Sequence, residues 1–313
     1  MTTKIPMLSL VSLADDHRAW VEAAHELTYE PDPARRREAV AAHAAEGRIV
    51  LTNGATGLTA EEIAALPKLE LVCTLGAGYE NVALDAARAR GVVVATGAGT
   101  NEDCVADHAL GLLIAAVRGI GRLDAQCRAG VWRDHIPLPP QLSGRRLGIL
   151  GLGAIGRKIA RRAAAFDLEI GYHNRRPVTD VGYRHFEDLA ALAAWADFLV
   201  VATPGGAGTK HLVDAAVIEA LGARGVLVNI ARGSVVDTAA LADALRAGRL
   251  AGAGLDVYEG EPRPPEALLD LDNVILTPHV AGWSPEAMGA SVRRVLANAE
   301  GHFSGRGAVS VVG

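Results

Sequence analysis

The sequence predicts a doubly wound α/β fold made of two parallel-sheet units. Strand-length apolar runs alternate with helix-length patterns along all 313 residues. Glycine makes up 35 residues, about 11% against a usual ~7%, while aromatics are only 4%. That bias favours parallel strands joined by tight βα turns over a β-sandwich. At roughly 150 residues per domain the length accommodates about two such units.

In the first part, strands are expected at residues 7–11, 49–52, 71–75 and 92–95. A helix over 59–66 opens on Thr59 as N-cap, followed by Glu61 and Glu62. A second short helix, 82–90, stops at Gly91. A long apolar helix over 101–120 leads into an irregular Trp- and Pro-containing stretch, 131–140. The rhythm then repeats. Strands are expected at 146–150, 169–172, 198–202, 226–230, 252–257 and 274–276, with helices at about 154–166, 186–194, 214–221 and 238–247. A final helix spans 284–303.

Composition excludes several classes. A net charge of −5 disfavours a nucleic-acid protein acting through bulk charge. No apolar run approaches ~18 residues, so no membrane partner is expected. The N-terminus reads as a first strand and not a signal peptide. Cys73, Cys104 and Cys127 are an odd number without metal spacing, which suits reduced thiols in the cytoplasm. No metal site is expected.

Residues 147–156 run from a strand into Gly151-Leu152-Gly153-Ala154-Ile155-Gly156 and then a helix. Gly151 makes the tight turn, Gly153 admits a pyrophosphate and Gly156 lets helix pack on strand. The N–H groups of Ala154 and Ile155 would face the anion. The second strand ends Tyr172-His173-Asn174-Arg175-Arg176, without the carboxylate that grips a ribose 2′-hydroxyl. Arginine forks match phosphate oxygens. NADP(H) is therefore the expected cofactor, with NAD(H) possible, held in part by Asn174, Arg175 and Arg176, with His173 near the adenosine.

Three later segments extend the pattern: Asn229-Ile230-Ala231-Arg232-Gly233-Ser234-Val235-Val236-Asp237, Gly254-Leu255-Asp256-Val257-Tyr258-Glu259-Gly260-Glu261-Pro262 and Thr277-Pro278-His279-Val280-Ala281-Gly282-Trp283. With Leu75-Gly76-Ala77-Gly78-Tyr79-Glu80-Asn81-Val82, they resemble the D-2-hydroxyacid dehydrogenase family, in particular its glyoxylate/hydroxypyruvate reductase branch. The likeness covers nearly the whole chain. It implies a Rossmann-type cofactor domain, residues 100–282, inserted in a flavodoxin-like substrate domain, 1–99 plus 283–313, with a cleft between them. It also implies a homodimer formed through 101–120 and 131–140.

The resemblance assigns Arg232 to substrate binding, His279 to general acid and Glu261 to partner of His279. Glu259 competes for that last role, but only Glu261 precedes the proline. The chemistry agrees: reducing a 2-oxo acid needs a hydride, a proton and fixed cationic donors, and a histidine switches charge near pH 7. Leu75, Gly76, Ala77 and Gly78 would bind the substrate carboxylate through backbone N–H groups. Asp256 would sit near the nicotinamide amide. Thr203, Pro204, Thr209, Ile230, Ala231, Arg232, His279 and Gly282 would line the cofactor site.

Asp107 stands where the family more often has Glu. Trp283 replaces a smaller pattern after the histidine; it would either narrow the pocket or stack on an aromatic substrate. The expected reaction is NADPH-linked reduction of glyoxylate or hydroxypyruvate to the D-2-hydroxy acid. The alternatives are a larger 2-oxo acid, such as 2-ketogluconate or an arylpyruvate, and a non-catalytic dinucleotide sensor on the same fold. Formate or phosphite oxidation ranks below these.

Overall fold

The computed structural model describes residues 4–312. Residues 1–3 and 313, which the expected substrate domain includes, lie outside them. The chain divides into two compact units, Met1–Asn101 with Gly282–Gly313, and Glu102–Ala281.

The discontinuous unit is built on β1 (Ile5–Ser9), α1 (Asp15–Ala24), β2 (His25–Tyr29), α2 (Arg36–His43), β3 (Ile49–Asn53), α3 (Ala60–Ala65), β4 (Leu71–Leu75), α4 (Leu84–Ala89) and β5 (Val93–Ala95). Its five strands are all parallel, in the order β2-β1-β3-β4-β5. The central strands are buried runs, as two-sided coverage requires. One face packs Leu8, Val50, Ile63 and Val72. The other packs Met7, Ile49 and Leu71 against Val292, Val295 and Ala299 of the last helix. The expected cap of α3 is a reciprocal box: Glu62 N–H donates to Thr59 Oγ1 at 3.2 Å, and Thr59 N–H donates to Glu62 Oε2 at 2.9 Å.

The fifth strand, β2, and helices α1 and α2 were not expected. The β2 sequence, His-Glu-Leu-Thr-Tyr, is polar and alternates in burial because it lies at the sheet edge. Such a strand has no apolar run to betray it.

The contiguous unit begins with α5 (Glu102–Arg118) and α6 (Ile120–Arg128). One helix was expected here. Gly119 instead adopts φ +63°, and the two helices meet at a 58° bend. No single helix among the described residues is long and apolar enough to cross a membrane. There follow β6 (Arg146–Leu150), α7 (Ala154–Ala164), β7 (Glu169–His173), β8 (Arg184–His185), α8 (Leu189–Trp195), β9 (Phe198–Val201), α9 (Ala215–Leu221), β10 (Val226–Asn229), α10 (Thr238–Arg246), β11 (Gly252–Leu255) and β12 (Val274–Leu276). Helix α11 (Pro285–Phe303) then returns the chain to the first unit.

Seven parallel strands run in the order β12-β11-β10-β9-β6-β7-β8. Strand order reverses between β6 and β9, and ligands of open α/β sheets bind outside the carboxyl ends at that point. One face is covered by α8, α9 and α10, the other by α5 and α7. Asp188, Asp214 and Asp237 cap the three helices of the first face through their side chains.

Candidate active site

The glycine loop joins β6 to α7 at the reversal. Gly151 has φ +99°, and a Cβ there would meet Thr203 N at 2.8 Å. A Cβ on Gly156 would fall 2.1 Å from the Gly151 carbonyl oxygen, so only glycine lets the helix seat. Gly153 has open space around its Cβ position and begins α7 without any side-chain cap. The first N–H groups of that helix, those of Ala154 and Ile155 included, are thereby left to an anion. The site fits a dinucleotide pyrophosphate on these grounds.

Asn174, expected to contact cofactor, uses its amide oxygen to accept from Leu152 N–H at 2.7 Å. It fixes the glycine loop to the end of β7. Arg175 and Arg176 follow it, exposed and without a hydrogen bond or ion pair among the described residues. Thr209 was expected to reach the cofactor; its hydroxyl donates to the carbonyls of Pro204 and Gly206, at 3.0 and 3.1 Å, closing the turn after β9. Thr203 and Pro204 lie in that same loop. Ile230 and Ala231 are buried where β10 ends.

Arg232 follows β10 on a turn held by a buried amide. Asn229 accepts from Ala231 N–H and donates to the Arg232 carbonyl, both at 3.0 Å. Gly205 leaves room for the arginine stem, because a Cβ there would lie 2.7 Å from Arg232 Cγ. A Cβ on Gly233 would lie 2.0 Å from the Tyr258 carbonyl carbon. This glycine lets the β10 and β11 loops touch backbone to backbone.

The β11 loop delivers Glu261. Its Oε1 accepts from Tyr258 N–H at 3.0 Å, and its Oε2 accepts from His279 Nδ1 at 2.8 Å. Glu259 turns elsewhere, to His211. The geometry thus separates the two candidate acids. The Glu261 hydrogen bond is the main influence holding the His279 pKa above the ordinary 6.5; burial and the Arg232 charge oppose it, and the Glu261 and Asp256 charges assist. Burial alone would raise Glu261, but the His279 hydrogen bond and charge, Tyr258 N–H and Arg232 outweigh it and hold the carboxyl down. The His279 side chain is 44% exposed, and Nε2 has no protein partner among the described residues.

His279 has φ +55°, a left-handed conformation that a histidine adopts only when held. Asp256 holds it. The Asp256 carbonyl accepts from His279 N–H at 2.9 Å. Its carboxylate accepts from Val280 N–H and Ala281 N–H at 2.9 Å and from the Thr277 hydroxyl at 2.6 Å. His108 of α5 completes the chain, its Nε2 lying 2.9 Å from Thr277 Oγ1. Burial would push the Asp256 carboxyl up, but these donors outweigh it and hold the group low. Asp256 was expected beside the nicotinamide amide. It is fully buried, and its carboxylate holds the loop that carries His279.

In the other unit, Leu75 ends β4 and the predicted carboxylate loop follows. Gly76 is corrected as a free donor: its N–H donates to Ser291 Oγ at 2.9 Å. Ser291 of α11 reaches it because Gly97, whose Cβ would lie 2.7 Å from both groups, has none. The N–H groups of Ala77 and Gly78 make no hydrogen bond among the described residues. Gly282 packs against the Asn101 amide, which a Cβ would approach to 2.6 Å. Trp283 is 70% exposed. Among the described residues no three or more His, Cys, Asp or Glu side chains gather to hold a metal.

Residues 110–281 match the family model "D-isomer specific 2-hydroxyacid dehydrogenase, NAD binding domain". The chain belongs to the D-isomer-specific 2-hydroxyacid dehydrogenase family. It falls in the glyoxylate/hydroxypyruvate reductase-like branch. It is 42% identical over 279 residues to hydroxyphenylpyruvate reductase of Plectranthus scutellarioides, covering 89% of each chain. It is 42% identical over 261 residues to 2-ketogluconate reductase of Gluconobacter oxydans, covering 82% of this chain and 83% of the other. The crystal structure of NADPH-dependent glyoxylate/hydroxypyruvate reductase from Sinorhizobium meliloti, in complex with NADP and malonate, superposes with a TM-score of 0.90 at 37% identity, covering 99% and 97% of the chains. As a member of the D-isomer-specific 2-hydroxyacid dehydrogenases, the protein is an NAD(P)-dependent oxidoreductase of small 2-oxo and 2-hydroxy acids.

Residues the sequence did not single out support this site: Gly205, His108 and Ser291, with the Asn229 amide inside a quoted motif. A buried polar residue ending an apolar strand, as Asn229 does, is the one signal that marks such a support.

Proposed function

We propose that this dehydrogenase reduces a small 2-oxo acid of the glyoxylate/hydroxypyruvate type to the D-2-hydroxy acid at the expense of NADPH. The supporting observation is the His279–Glu261 pair, 2.8 Å apart, with Nε2 left without a partner among the described residues and the imidazole biased toward its charged form. The glycine loop would hold the pyrophosphate of NADPH, which would supply the hydride. His279 donates its Nε2 proton to the ketone oxygen as negative charge develops there. Glu261 stabilises the imidazolium and fixes the ring. Arg232 offers a planar fork to the carboxylate and polarises the ketone. We assign the unbonded N–H groups of Ala77 and Gly78 to the substrate carboxylate as well. Arg175 and Arg176, exposed and without an ion pair among the described residues, are assigned to the 2′-phosphate of NADP(H). Three unpaired cysteines suit a reducing, cytoplasmic setting.

The test is initial rates with NADPH and NADH across glyoxylate, hydroxypyruvate, pyruvate, phenylpyruvate and 2-ketogluconate. Fast NADPH oxidation with glyoxylate or hydroxypyruvate is the expected result. Preference for phenylpyruvate or 2-ketogluconate would favour the second reading, a larger acid, which the two relatives at 42% identity and the exposed Trp283 support. Tight NADPH binding with no turnover would overturn both.

We also propose a homodimer. Helix α6 buries none of its residues within the chain, and Ile120, Trp132 and Leu138 are 49%, 64% and 97% exposed. Light scattering should give twice the chain mass. A monomer at micromolar concentration would end this proposal.

A further inference from the structure

A second histidine–carboxylate pair lies in the cofactor unit, outside the catalytic one. His211 Nε2 is 2.8 Å from Glu259 Oε1, and the other oxygen, Oε2, accepts from Thr238 N–H at 3.2 Å. His211 Nδ1 faces Asp237 Oδ2 at 3.8 Å. The histidine is in a left-handed conformation, φ +48°, and its N–H donates to the Ser234 carbonyl at 2.8 Å.

These contacts join three loops. His211 belongs to the loop after β9. Ser234 lies in the turn after β10, which begins at Arg232, and Thr238 opens α10 at the end of that turn. Glu259 sits in the loop after β11, two residues before Glu261. Gly233 adds the close backbone approach of the last two loops already described. Glu259 is therefore a hub, with one oxygen for each neighbouring loop.

Resting on the reading above, we infer that His211 and Glu259 are positioning residues that set Arg232 and Glu261 in register for 2-oxo acid reduction. Neither touches the reacting atoms. Their work is done through the two loops they fasten. Small displacements of such groups cost about ten- to a hundredfold in rate.

The bracket has a chemical signature. In Glu259→Gln the amide oxygen can accept from Thr238 N–H while the amide NH2 donates to neutral His211 Nε2. Both bonds survive and only the charge is lost. In Glu259→Ala both bonds vanish. A role through charge alone would make the two variants equally defective.

The experiment measures kcat, KM and the pH profile of kcat/KM with NADPH and the best 2-oxo acid for five forms: wild type, Glu259→Gln, Glu259→Ala, His211→Ala and the double alanine. The expected result is near-normal kinetics for Glu259→Gln and a KM raised about tenfold or more for Glu259→Ala, as a misplaced Arg232 requires. The alkaline limb of the alanine variant should move to lower pH as Glu261 loosens from His279. The charged neighbours of His279 are Glu261, Arg232 and Asp256, and the limb follows the first because its hydrogen bond is the largest influence on the imidazole. His211→Ala should match Glu259→Ala, and the double variant should be no worse than either single. Additive losses, or Gln as defective as Ala, would overturn the inference. If Glu259→Ala fails to fold, His211→Ala and Glu259→Gln still decide: wild-type KM and pH profile in His211→Ala, or a defective Glu259→Gln, would overturn it. His279→Ala serves as the separate control. Its retaining full rate would remove the proposed mechanism itself, whereas failure of the bracket leaves that loss intact.

Discussion

At the scale of residues, the site is a set of side chains whose protonation is decided by their neighbours. The raised pKa of His279 keeps it protonated above its ordinary 6.5, so reduction should be fast at low pH and fall as pH rises through that raised value. Glu261→Ala removes the hydrogen bond, which is the largest cause of the shift, together with the charge. The alkaline limb of kcat/KM should then move to lower pH, and an unmoved limb would break the link between the pair and the profile. His279→Ala should cost at least about two orders of magnitude in kcat. The pairing of Glu261 with His279 was legible because each sits in a local motif, and the proline after Glu261 distinguished it from Glu259. His108 was not readable. Its partner Thr277 lies 169 positions away, and no local pattern encodes a contact that only the folded sheet creates. Asp256 was found for its motif, but the donors surrounding it become visible only once the 277–281 loop is in place.

At the scale of elements, the strand–helix alternation was legible where strands are buried and apolar. All six strands expected in the cofactor unit are present, within a residue or two at their ends. The polar edge strand β2 escaped, and so did the break at Gly119, because the apolar pattern runs on through it. The loop from β6 to α7 depends on backbone approach more than on side chains. Gly156→Ala would place a methyl group 2.1 Å from the Gly151 carbonyl, forcing helix and loop apart. NADPH affinity, followed by titration of intrinsic fluorescence, should fall at least about tenfold, since ordinary overpacking already costs ~1–3 kcal/mol. Unaltered affinity would show that the loop tolerates the shift. On the next element, replacing Arg175 and Arg176 together with alanine should weaken NADPH far more than NADH. Equal weakening would take the 2′-phosphate away from them.

At the scale of the whole molecule, the two units carry different sensitivities to acid. His25 and His43, both in the discontinuous unit, have lowered pKa values, chiefly through burial. They stay neutral in the native state while the unfolded chain takes up protons near 6.5. Their contribution is complete above that value and is lost as pH falls through it to the native pKa. Asp256 and Glu261, in the contiguous unit, are also shifted down, but from the lower carboxylate range. The stability they add is present above their ordinary 3.8 and 4.5 and is lost only as pH falls toward the lower native values. Between pH 7 and 5, hydrogen exchange should therefore lose protection first in β1, β2 and α2, with β10 and β11 unaffected. Uniform loss would contradict that order. The same division bears on synthesis. Strands β1 to β5 emerge early, yet one face of their sheet is covered by Val292, Val295 and Ala299, and Asn298 donates to the Thr96 carbonyl at 3.2 Å. About 180 residues of the other unit are translated in between, which at ~5–20 residues per second takes about 10–40 s. For that interval the nascent sheet carries an uncovered apolar face on the ribosome, and a holdase chaperone has its clearest target there.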